Sequence, residues 1–475
     1  MPPFPLRSAE IRRLAAESRR SEDANWKRWG TYLAERQWGT VREDYSLDGE
    51  PWNHFTHDNA VWRAYRWGED GILGWTDRQN RLCFAITLWN GKDPILKERL
   101  FGLSGPEGNH GEDVKECYYY LDALPTHSYC HGLYKYPQQE FPYRQLIEEN
   151  SRRNRDEREY ELIDTSVFDD NKYFDVHVEY AKAAPEDTLI RVTICNRGND
   201  SARLHLLPTF WFRNFWDSNT TFEADHAKPS LALQPDGGLL AEDATLGRYR
   251  IYADIGPKGY RAPWWFTENE TNSGRLRSPQ VNLPGCKDAF HLYLIKGMKD
   301  ALNATPEGTK SAAYYILSVP ARSQITIRLR LCREDLAPDV PFGSSFEDTF
   351  DLRKQEADAF YDLKVDAGLT IDERRVLRQA NAGLFWTKQF YYYSVNDWLN
   401  HGPERPIFDK INHLPRNGDW GHLFNRDVIS MPDKWEYPWY AAWDSAFHMI
   451  PFAHLDINYA KEQMIMFLRE WYMHP

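Results

Sequence analysis

Residues 173–180 read Tyr-Phe-Asp-Val-His-Val-Glu-Tyr, and this alternation of apolar and polar side chains decides the fold class of the first part of the chain. Successive side chains of a β-strand point to opposite faces of a sheet, so one face of this segment is apolar and the other polar. Residues 325–330, Ile-Thr-Ile-Arg-Leu-Arg, repeat the pattern. Both segments predict antiparallel sheets with one face on a core and the other in water.

Similar runs, bounded by Gly, Pro, Asn and Asp, extend the prediction along the chain. Many strands without long amphipathic helices between them indicate an antiparallel β-sandwich, which we place at residues 55–335. Strands are expected at Ala60–Trp67, Gly71–Trp75, Leu82–Trp89, Lys172–Tyr180, Leu189–Cys195, Arg203–Phe212, Arg248–Ala253, Ala289–Ile295, Ala312–Leu317 and Gln324–Leu331.

Helical periodicity precedes and follows this region. We predict a helical lead-in over residues 1–54, a helical linker over 336–370 and a further all-α part over 371–475. The fold class is therefore a multidomain β plus α protein. Helices are expected at Phe346–Leu363, Ile371–Tyr393, Tyr440–Ala453 and Ile457–Tyr472, with a long loop at Asn400–Asp433.

The net charge, the apolar runs and the aromatic content of the chain limit the classes of function to be considered. A net charge of −12 over 475 residues argues against nucleic acid and membrane partners, because both usually need a cationic surface. No leader-like apolar stretch and no run of about 18 apolar residues occurs, so a cytoplasmic protein is expected. Aromatic residues make up 15% of the chain, with 19 Trp and 27 Tyr. Flat, stiff rings with a polar handle suit a carbohydrate substrate.

The densest chemical cluster is residues 435–448, Trp-Glu-Tyr-Pro-Trp-Tyr-Ala-Ala-Trp-Asp-Ser-Ala-Phe-His. It sets Asp444 at the expected start of a helix among large rings. Cleavage of a glycosidic bond needs a carboxylic acid that is still protonated, and apolar rings favour that form by excluding water. A helix N-terminus favours the charged form instead, so helix capping remains an alternative role for Asp444.

The segment Trp443-Asp444-Ser445-Ala446-Phe447-His448, preceded by Tyr437-Pro438-Trp439-Tyr440, resembles the catalytic segment of glycoside hydrolase family 63. Residues 98–116 and 125–129 carry the same resemblance, which covers essentially the whole chain and is strongest to microbial and fungal glucosidase-like members. The resemblance implies a β-sandwich joined by a helical linker to an (α/α)6 barrel. It also implies hydrolysis of α-glucosides or glycosylglycerates with inversion, without a cofactor or metal, and with Asp444 as the general acid.

The residues around Asp444 are the expected sugar contacts. For Trp386, on the first helix of the expected barrel, core packing is the favoured alternative. The substrate-binding prediction comprises Trp443, Tyr440, Trp439, Glu436, Phe447, His448 and Trp386. A polar and aromatic loop is a candidate lid, with loop hydrogen bonding as its alternative; it contains Asn412, His413, Arg416, Asn417, Trp420, His422, Asn425 and Arg426.

Inversion also needs a carboxylate base about 6.5–9.5 Å from the acid. In the family this base is a Glu late in the barrel, and no counterpart is identified here. Only about four helices fit after Ile371, far fewer than such a barrel contains, so we expect an amino-terminal piece of a longer enzyme. The alternative is a non-catalytic carbohydrate-binding or scaffold protein with the same fold. Four nearby acidic residues remain unassigned: Glu436, Asp427, Asp433 and Asp419.

Overall fold

The fold combines two large antiparallel sheets with helices that follow them in the chain. It was obtained as a computed structural model. The residues that it describes are 8–17, 24–37, 40, 42, 44, 46, 53–109, 113–216, 227–365, 368–400, 417–418, 420–431 and 440–469.

The strands of the described residues lie mainly between residues 72 and 333. In chain order they are β1 Trp29–Gly30, β2 Ile72–Asp77, β3 Leu82–Trp89, β4 Gly102–Leu103, β5 Asp113–Val114, β6 Tyr118–Ala123, β7 Tyr129–Pro137, β8 Tyr173–Ala184, β9 Asp187–Asn196, β10 Ala202–Phe212, β11 Ser230–Leu233, β12 Leu239–Asp243, β13 Gly247–Ala253, β14 Trp264–Thr267, β15 Glu307–Gly308, β16 Lys310–Ala313, β17 Tyr315–Val319, β18 Gln324–Arg333, β19 Lys388–Ser394 and β20 Phe424–Ser430.

These strands pair into two large sheets and two small ones. The seven-stranded sheet has the order β1-β2-β3-β10-β16-β14, with β17 also paired to β10. The nine-stranded sheet has the order β15-β11-β12-β13-β18-β9-β8-β7-β6. The pairs β4-β5 and β19-β20 form separate two-stranded sheets.

The two large sheets enclose a core of aromatic and branched side chains. Trp75 of β2 stacks on Tyr180 of β8, with ring centroids 4.5 Å apart. The Tyr180 hydroxyl donates a hydrogen bond to the carbonyl of Leu73 at 2.6 Å. Val176 and Val178 are also fully buried, whereas His177 between them is only half-buried. The predicted alternation is therefore confirmed, because the apolar positions of this strand face the opposing sheet.

The helices lie at the edges of the sheets and after them. In chain order they are α1 Ala9–Glu17, α2 His57–Trp62, α3 Tyr143–Arg152, α4 Ser273–Arg277, α5 Ala289–Leu294, α6 Ser344–Lys364, α7 Ile371–Trp386, α8 Val395–Asn400, α9 Ala442–Leu455 and α10 Ile457–Arg469. Helices α6, α9 and α10 match predicted helices closely.

Two predicted strands are wrong. Residues 57–62 form α2 because Thr56 caps it, its hydroxyl accepting the Asn59 N–H. Residues 289–294 form α5, since a short apolar run suits a buried helix as well as a strand. The strand predicted at 312–317 is broken at Tyr314, whose ring stacks on Trp265 at 4.0 Å.

The predictions at both ends of the sandwich also need correction. The lead-in contains the helix α1, but Trp29–Gly30 is a strand that pairs with β2. The helix expected to reach Tyr393 ends at Trp386, because the following Phe-Tyr-Tyr-Tyr run favours a strand and forms β19. Part of the predicted loop pairs with it as β20. The domain boundaries themselves stay predictions.

Helix α7 packs on the edge of the nine-stranded sheet. The Trp386 ring stacks on Tyr120 of β6, with centroids 5.0 Å apart and planes 7° apart. The Trp386 Nε1–H donates to the Asp122 carbonyl at 3.2 Å. The Arg378 Nε–H donates to the Asp122 carboxylate at 3.1 Å. One face of α7 is therefore fixed to the sheet by a ring stack and an ion pair.

Two further properties concern the described residues as a whole. None of their helices is both long and apolar enough to cross a membrane. All six cysteines are free, with four buried and Cys117 and Cys195 half-buried.

The histidines predict acid-sensitive stability. Burial lowers the pKa values of His131, His205 and His291 to about 4. The unfolded chain therefore binds more protons between about pH 6.5 and pH 4, and the free energy of unfolding falls as pH drops through that window. We expect His291→Asn, which keeps an acceptor for the Leu96 N–H, to reduce this slope by up to about 1.4 kcal/mol per pH unit. Urea denaturation at several pH values measures the slope; equal slopes in both proteins would contradict the assignment.

Candidate functional site

The predicted catalytic segment lies where β20, α9 and α10 meet. The Ser430 hydroxyl, at the end of β20, is 2.8 Å from Nδ1 of His448 on α9. The Ser430 N–H donates to Oε1 of Gln463 on α10 at 3.3 Å. Gln463 in turn donates from Nε2 to the Val428 carbonyl at 3.1 Å. These polar contacts fix both helices against the end of one strand.

Asp444 occupies the first turn of α9, and its side chain is half-buried. The N-cap residue Ala441 makes no side-chain cap bond, so Asp444 is the acidic group of this helix terminus. The partial positive charge of a helix N-terminus favours a carboxylate there. The structure thus supports the position predicted for Asp444 at a helix start, while its catalytic role stays a prediction.

His448 lies one turn after Asp444 on the same face of α9. Burial lowers the pKa of His448, and the nearby charge of Asp444 only partly opposes this effect. A neutral imidazole therefore lies beside the Asp444 carboxyl near pH 7. The Ser430 hydroxyl contacts Nδ1 of this imidazole and holds the ring in place.

An exposed aromatic pair lies next to this carboxyl. We call Trp443 and Phe447 the aromatic stripe; their side chains are 70% and 63% exposed. Their ring centroids are 6.1 Å apart in an edge-to-face arrangement. The Trp443 ring faces solvent, and the exclusion of water from Asp444 by the rings around it stays a prediction. The stripe offers apolar ring surface directly beside a carboxyl group.

Tyr440 precedes α9 and is held by aromatic contacts. Its ring stacks on Phe467 of α10, with centroids 4.9 Å apart and planes 8° apart. Tyr391 of β19 lies on another side, at 5.9 Å. Tyr440 therefore ties the start of α9 to α10 and β19. A sugar contact by Tyr440 stays a prediction.

Several predicted residues lie outside the described residues. They are Trp439 and Glu436 of the proposed sugar site, Asp433 and Asp419 among the unassigned acids, and Asn412, His413 and Arg416 of the candidate lid.

Among the predicted sugar contacts that the structure describes, Trp386 is the one that is completely buried. It is 0% exposed and packs between α7 and the nine-stranded sheet. Its polar Nε1–H is already bonded to the Asp122 carbonyl. We therefore assign Trp386 to core packing, and the sugar-contact prediction for it is wrong.

Among the remaining acid and lid candidates, Asp427, Trp420 and His422 have structural partners. Asp427 accepts a bond from the Arg469 guanidinium at 2.5 Å, which suits an ion pair better than a base. Trp420 donates from Nε1 to His422 Nε2 at 2.8 Å. Asn425 and Arg426 belong to β20 rather than to a loop, and Asn425 is fully buried.

Sequence reasoning missed Ser430 and Gln463. Ser430 contacts His448, and Gln463 bonds α10 to the backbone of β20, yet Ser430 fell in a predicted loop and Gln463 in an ordinary helix. The only signal for Ser430 was the β-branched pair Val428 and Ile429 just before it, a residue type that favours strands. Within the described residues, no group of three or more His, Cys, Asp or Glu side chains is placed to hold a metal ion.

Comparison with known proteins gives one close sequence relative. No family model matches the chain. The uncharacterized protein YMR196W of Saccharomyces cerevisiae is 41% identical over 502 residues, an alignment that covers 96% of this chain. The chain spans 45% of the length of that relative.

Solved structures resemble the chain only weakly. A candidate kojibiose phosphorylase from the human microbiome covers 66% of this chain and 29% of its own, at 9% identity and a TM-score of 0.24. A galactose mutarotase related enzyme from Lactobacillus acidophilus covers 55% of this chain and 90% of its own, at 7% identity and a TM-score of 0.21. Scores of this size support no argument about fold or function.

The aromatic stripe predicts a specific effect on sugar binding. We expect Trp443→Ala to weaken maltose binding about tenfold, since a ring face for stacking is lost. The thermal midpoint should stay unchanged, because the Trp443 side chain is largely exposed. Isothermal titration calorimetry measures the affinity. Ile163→Ala, at an apolar side chain that is 72% exposed and lies outside α9 and α10, is the matched control and should bind like the wild type. Equal affinity in all three proteins would contradict the sugar-contact role.

Proposed function

We propose that the chain is part of a carbohydrate-cleaving enzyme that hydrolyses α-glucosidic bonds with inversion. Asp444 is its general acid. The observation that carries the proposal is a half-buried carboxyl in the first turn of α9, beside the exposed rings of Trp443 and Phe447. The same residues form the segment that resembles the catalytic segment of glycoside hydrolase family 63.

The acid step needs a protonated Asp444 when substrate is bound. A sugar ring lying on Trp443 would exclude water from the neighbouring carboxyl, and this favours the neutral, proton-donating form. The helix terminus opposes this effect, since its dipole favours the carboxylate. Binding of the sugar is therefore the step that favours the protonated form of the carboxyl. The proton moves from Asp444 to the glycosidic oxygen as the bond to the anomeric carbon breaks.

His448 supports this role by staying neutral. A charged imidazolium one turn from Asp444 would hold the carboxylate in its ionised form. Burial lowers the pKa of His448, and the Ser430 hydroxyl satisfies Nδ1 without adding a charge. Ser430 and His448 thus place no positive charge beside Asp444 that would oppose its protonation.

The general base is proposed to lie in a part of a longer protein beyond these residues. Asp427, the one described residue among the four unassigned acids, is already paired with Arg469. The yeast relative has room for such a part, because this chain spans 45% of its length.

We further propose that α7, α9 and α10 are the first helices of an (α/α)6 barrel. Several apolar side chains of α9 and α10 face solvent, a pattern typical of surfaces that pack on other elements. They are Ile450, Ile457, Met464, Ile465 and Leu468, each between 49% and 78% exposed. Further helices of the barrel would cover them.

A non-catalytic carbohydrate-binding protein is the second candidate. The ion pair of Asp427 with Arg469 favours it, since that pair removes the described candidate for the base. Such a protein would keep the aromatic stripe and bind sugar without cleaving it.

Substitution of Asp444 separates the two candidates. In the protein as the cell makes it, including any residues beyond 475, Asp444→Asn should lower kcat/KM on maltose by about a hundredfold or more. The loss should be much smaller on α-glucosyl fluoride, because fluoride leaves without protonation. Steady-state kinetics on both substrates measures the effect.

The matched control is Asp372→Asn, which alters an acidic residue in the first turn of α7 whose side chain is 89% exposed. It should retain wild-type kinetics on both substrates. Equal losses on maltose and glucosyl fluoride in the Asp444 variant would remove the acid role. A wild-type protein that binds maltose without cleaving any α-glucoside would favour the binding-only candidate.

A further inference from the structure

An open cavity of about 500 Å³ lies on the solvent face of the nine-stranded sheet, and it shares no residue with the Asp444 site. Cavities of this size hold small metabolites. We call it the sheet-face pocket, and six of its lining residues carry the argument: His131, His177, Glu179, Arg191, Arg197 and Lys354.

The strand register brings these side chains together. His131 of β7 is paired with Glu179 of β8, and Glu179 is paired with Arg191 of β9. His177 lies two positions before Glu179 and therefore points to the same face. Helix α6 crosses this face and contributes Lys354. The polar half of the alternation at 173–180 thus lines a pocket rather than plain solvent.

Glu179 is fixed by its neighbours and holds its charge. Its carboxylate accepts bonds from the Arg191 guanidinium, the Lys354 ammonium and the Tyr129 hydroxyl, each at 2.8 Å. Burial would raise the pKa of Glu179, but His131, Arg191 and Lys354 outweigh burial and lower it to about 2. A carboxylate held in this way orients cations and is not a proton donor.

The pocket lining contains three cations, Arg191, Arg197 and Lys354, and one carboxylate, Glu179, in a protein whose net charge is −12. Arg191 also pairs with Glu347, outside the lining, at 2.9 Å. Arg197 uses its Nε–H on Asp175 at 2.5 Å, and its side chain is 49% exposed. Lys354 uses one donor on Glu179, and its side chain is 41% exposed. Both therefore keep N–H donors that a ligand in the pocket can reach.

The two histidines add one neutral donor and one acceptor to this surface. Nε2 of His131 is 3.0 Å from Nδ1 of His177, so one ring donates to the other. Burial lowers the pKa values of both rings, that of His131 to about 4. Near pH 7 the pair is uncharged and leaves one ring nitrogen on each histidine for further hydrogen bonds.

We propose that the sheet-face pocket binds a small hydroxylated organic anion through its phosphate or carboxylate group, with Arg197 and Lys354 as the anion contacts. Charge-assisted bonds from a guanidinium and an ammonium are the strong interactions for such groups. Thr193 and Thr326, whose hydroxyls are 3.0 Å apart on the pocket wall, offer hydrogen bonds to the hydroxyls of the ligand. The site lies apart from Asp444, so it does not depend on the proposed hydrolysis.

Calorimetric titration of the protein as the cell makes it with inorganic phosphate, gluconate and sorbitol tests this proposal. Phosphate or gluconate should bind, and sorbitol, the uncharged counterpart of gluconate, should bind at least about tenfold more weakly, since it lacks the charge that the cations recognise. Tighter binding of phosphate identifies a phosphorylated ligand, and tighter binding of gluconate a carboxylate ligand.

The variant R197Q/K354M should lose at least about tenfold in affinity for the bound anion. Its control, Arg144→Gln, removes a cation that is 90% exposed on α3 outside the pocket and should leave the affinity unchanged. If the double variant misfolds, the single variant R197Q is measured instead and should show a loss of the same sign. Absence of anion binding, stronger binding of sorbitol, or equal affinity in R197Q and the wild type would overturn the proposal.

Discussion

The contact of α7 with the nine-stranded sheet sets the positions of β19, β20 and α9, which follow α7 in the chain. The Trp386 ring lies flat on Tyr120 and is fully buried, and Arg378 is paired with Asp122 on the same strand. Burial raises the pKa of Asp122 and Arg378 opposes this, so the carboxylate depends on its partner. Removing Arg378 would leave the buried Asp122 carboxylate without its ion-pair partner. The sandwich and the helical part are joined by this pair and this stack.

From that contact the chain leads directly to the candidate site. β19 begins two residues after Trp386 and pairs with β20, whose last residue, Ser430, contacts His448. The position of α9 therefore depends on hydrogen bonds that start at the sandwich. The result is a carboxyl at a helix terminus with a neutral imidazole on one side and exposed rings on the other. Acid catalysis on a sugar would use all three features.

The sandwich could be predicted because a strand with one buried face alternates apolar and polar residues, as the strand that contains Val176 and His177 does. The prediction of a strand at residues 289–294 was wrong, because a short apolar run is compatible with both a strand and a helix. The position of Asp444 at a helix start could be predicted, while its catalytic role stays a prediction. The packing role of Trp386 could not, because a ring on a core face and a ring on a sugar site have the same sequence pattern. The sheet-face pocket depends on cross-strand register, which no local segment contains.

The configuration of the first product tests the proposed cleavage of an α-glucosidic bond with inversion. Proton NMR during hydrolysis of an α-glucoside by the protein as the cell makes it, recorded before mutarotation, resolves the two anomers of glucose. The account predicts that β-glucose appears first, because water attacks the face opposite the bond that Asp444 protonates. α-Glucose appearing first would contradict it, since that outcome requires a covalent intermediate and a different pair of carboxylates.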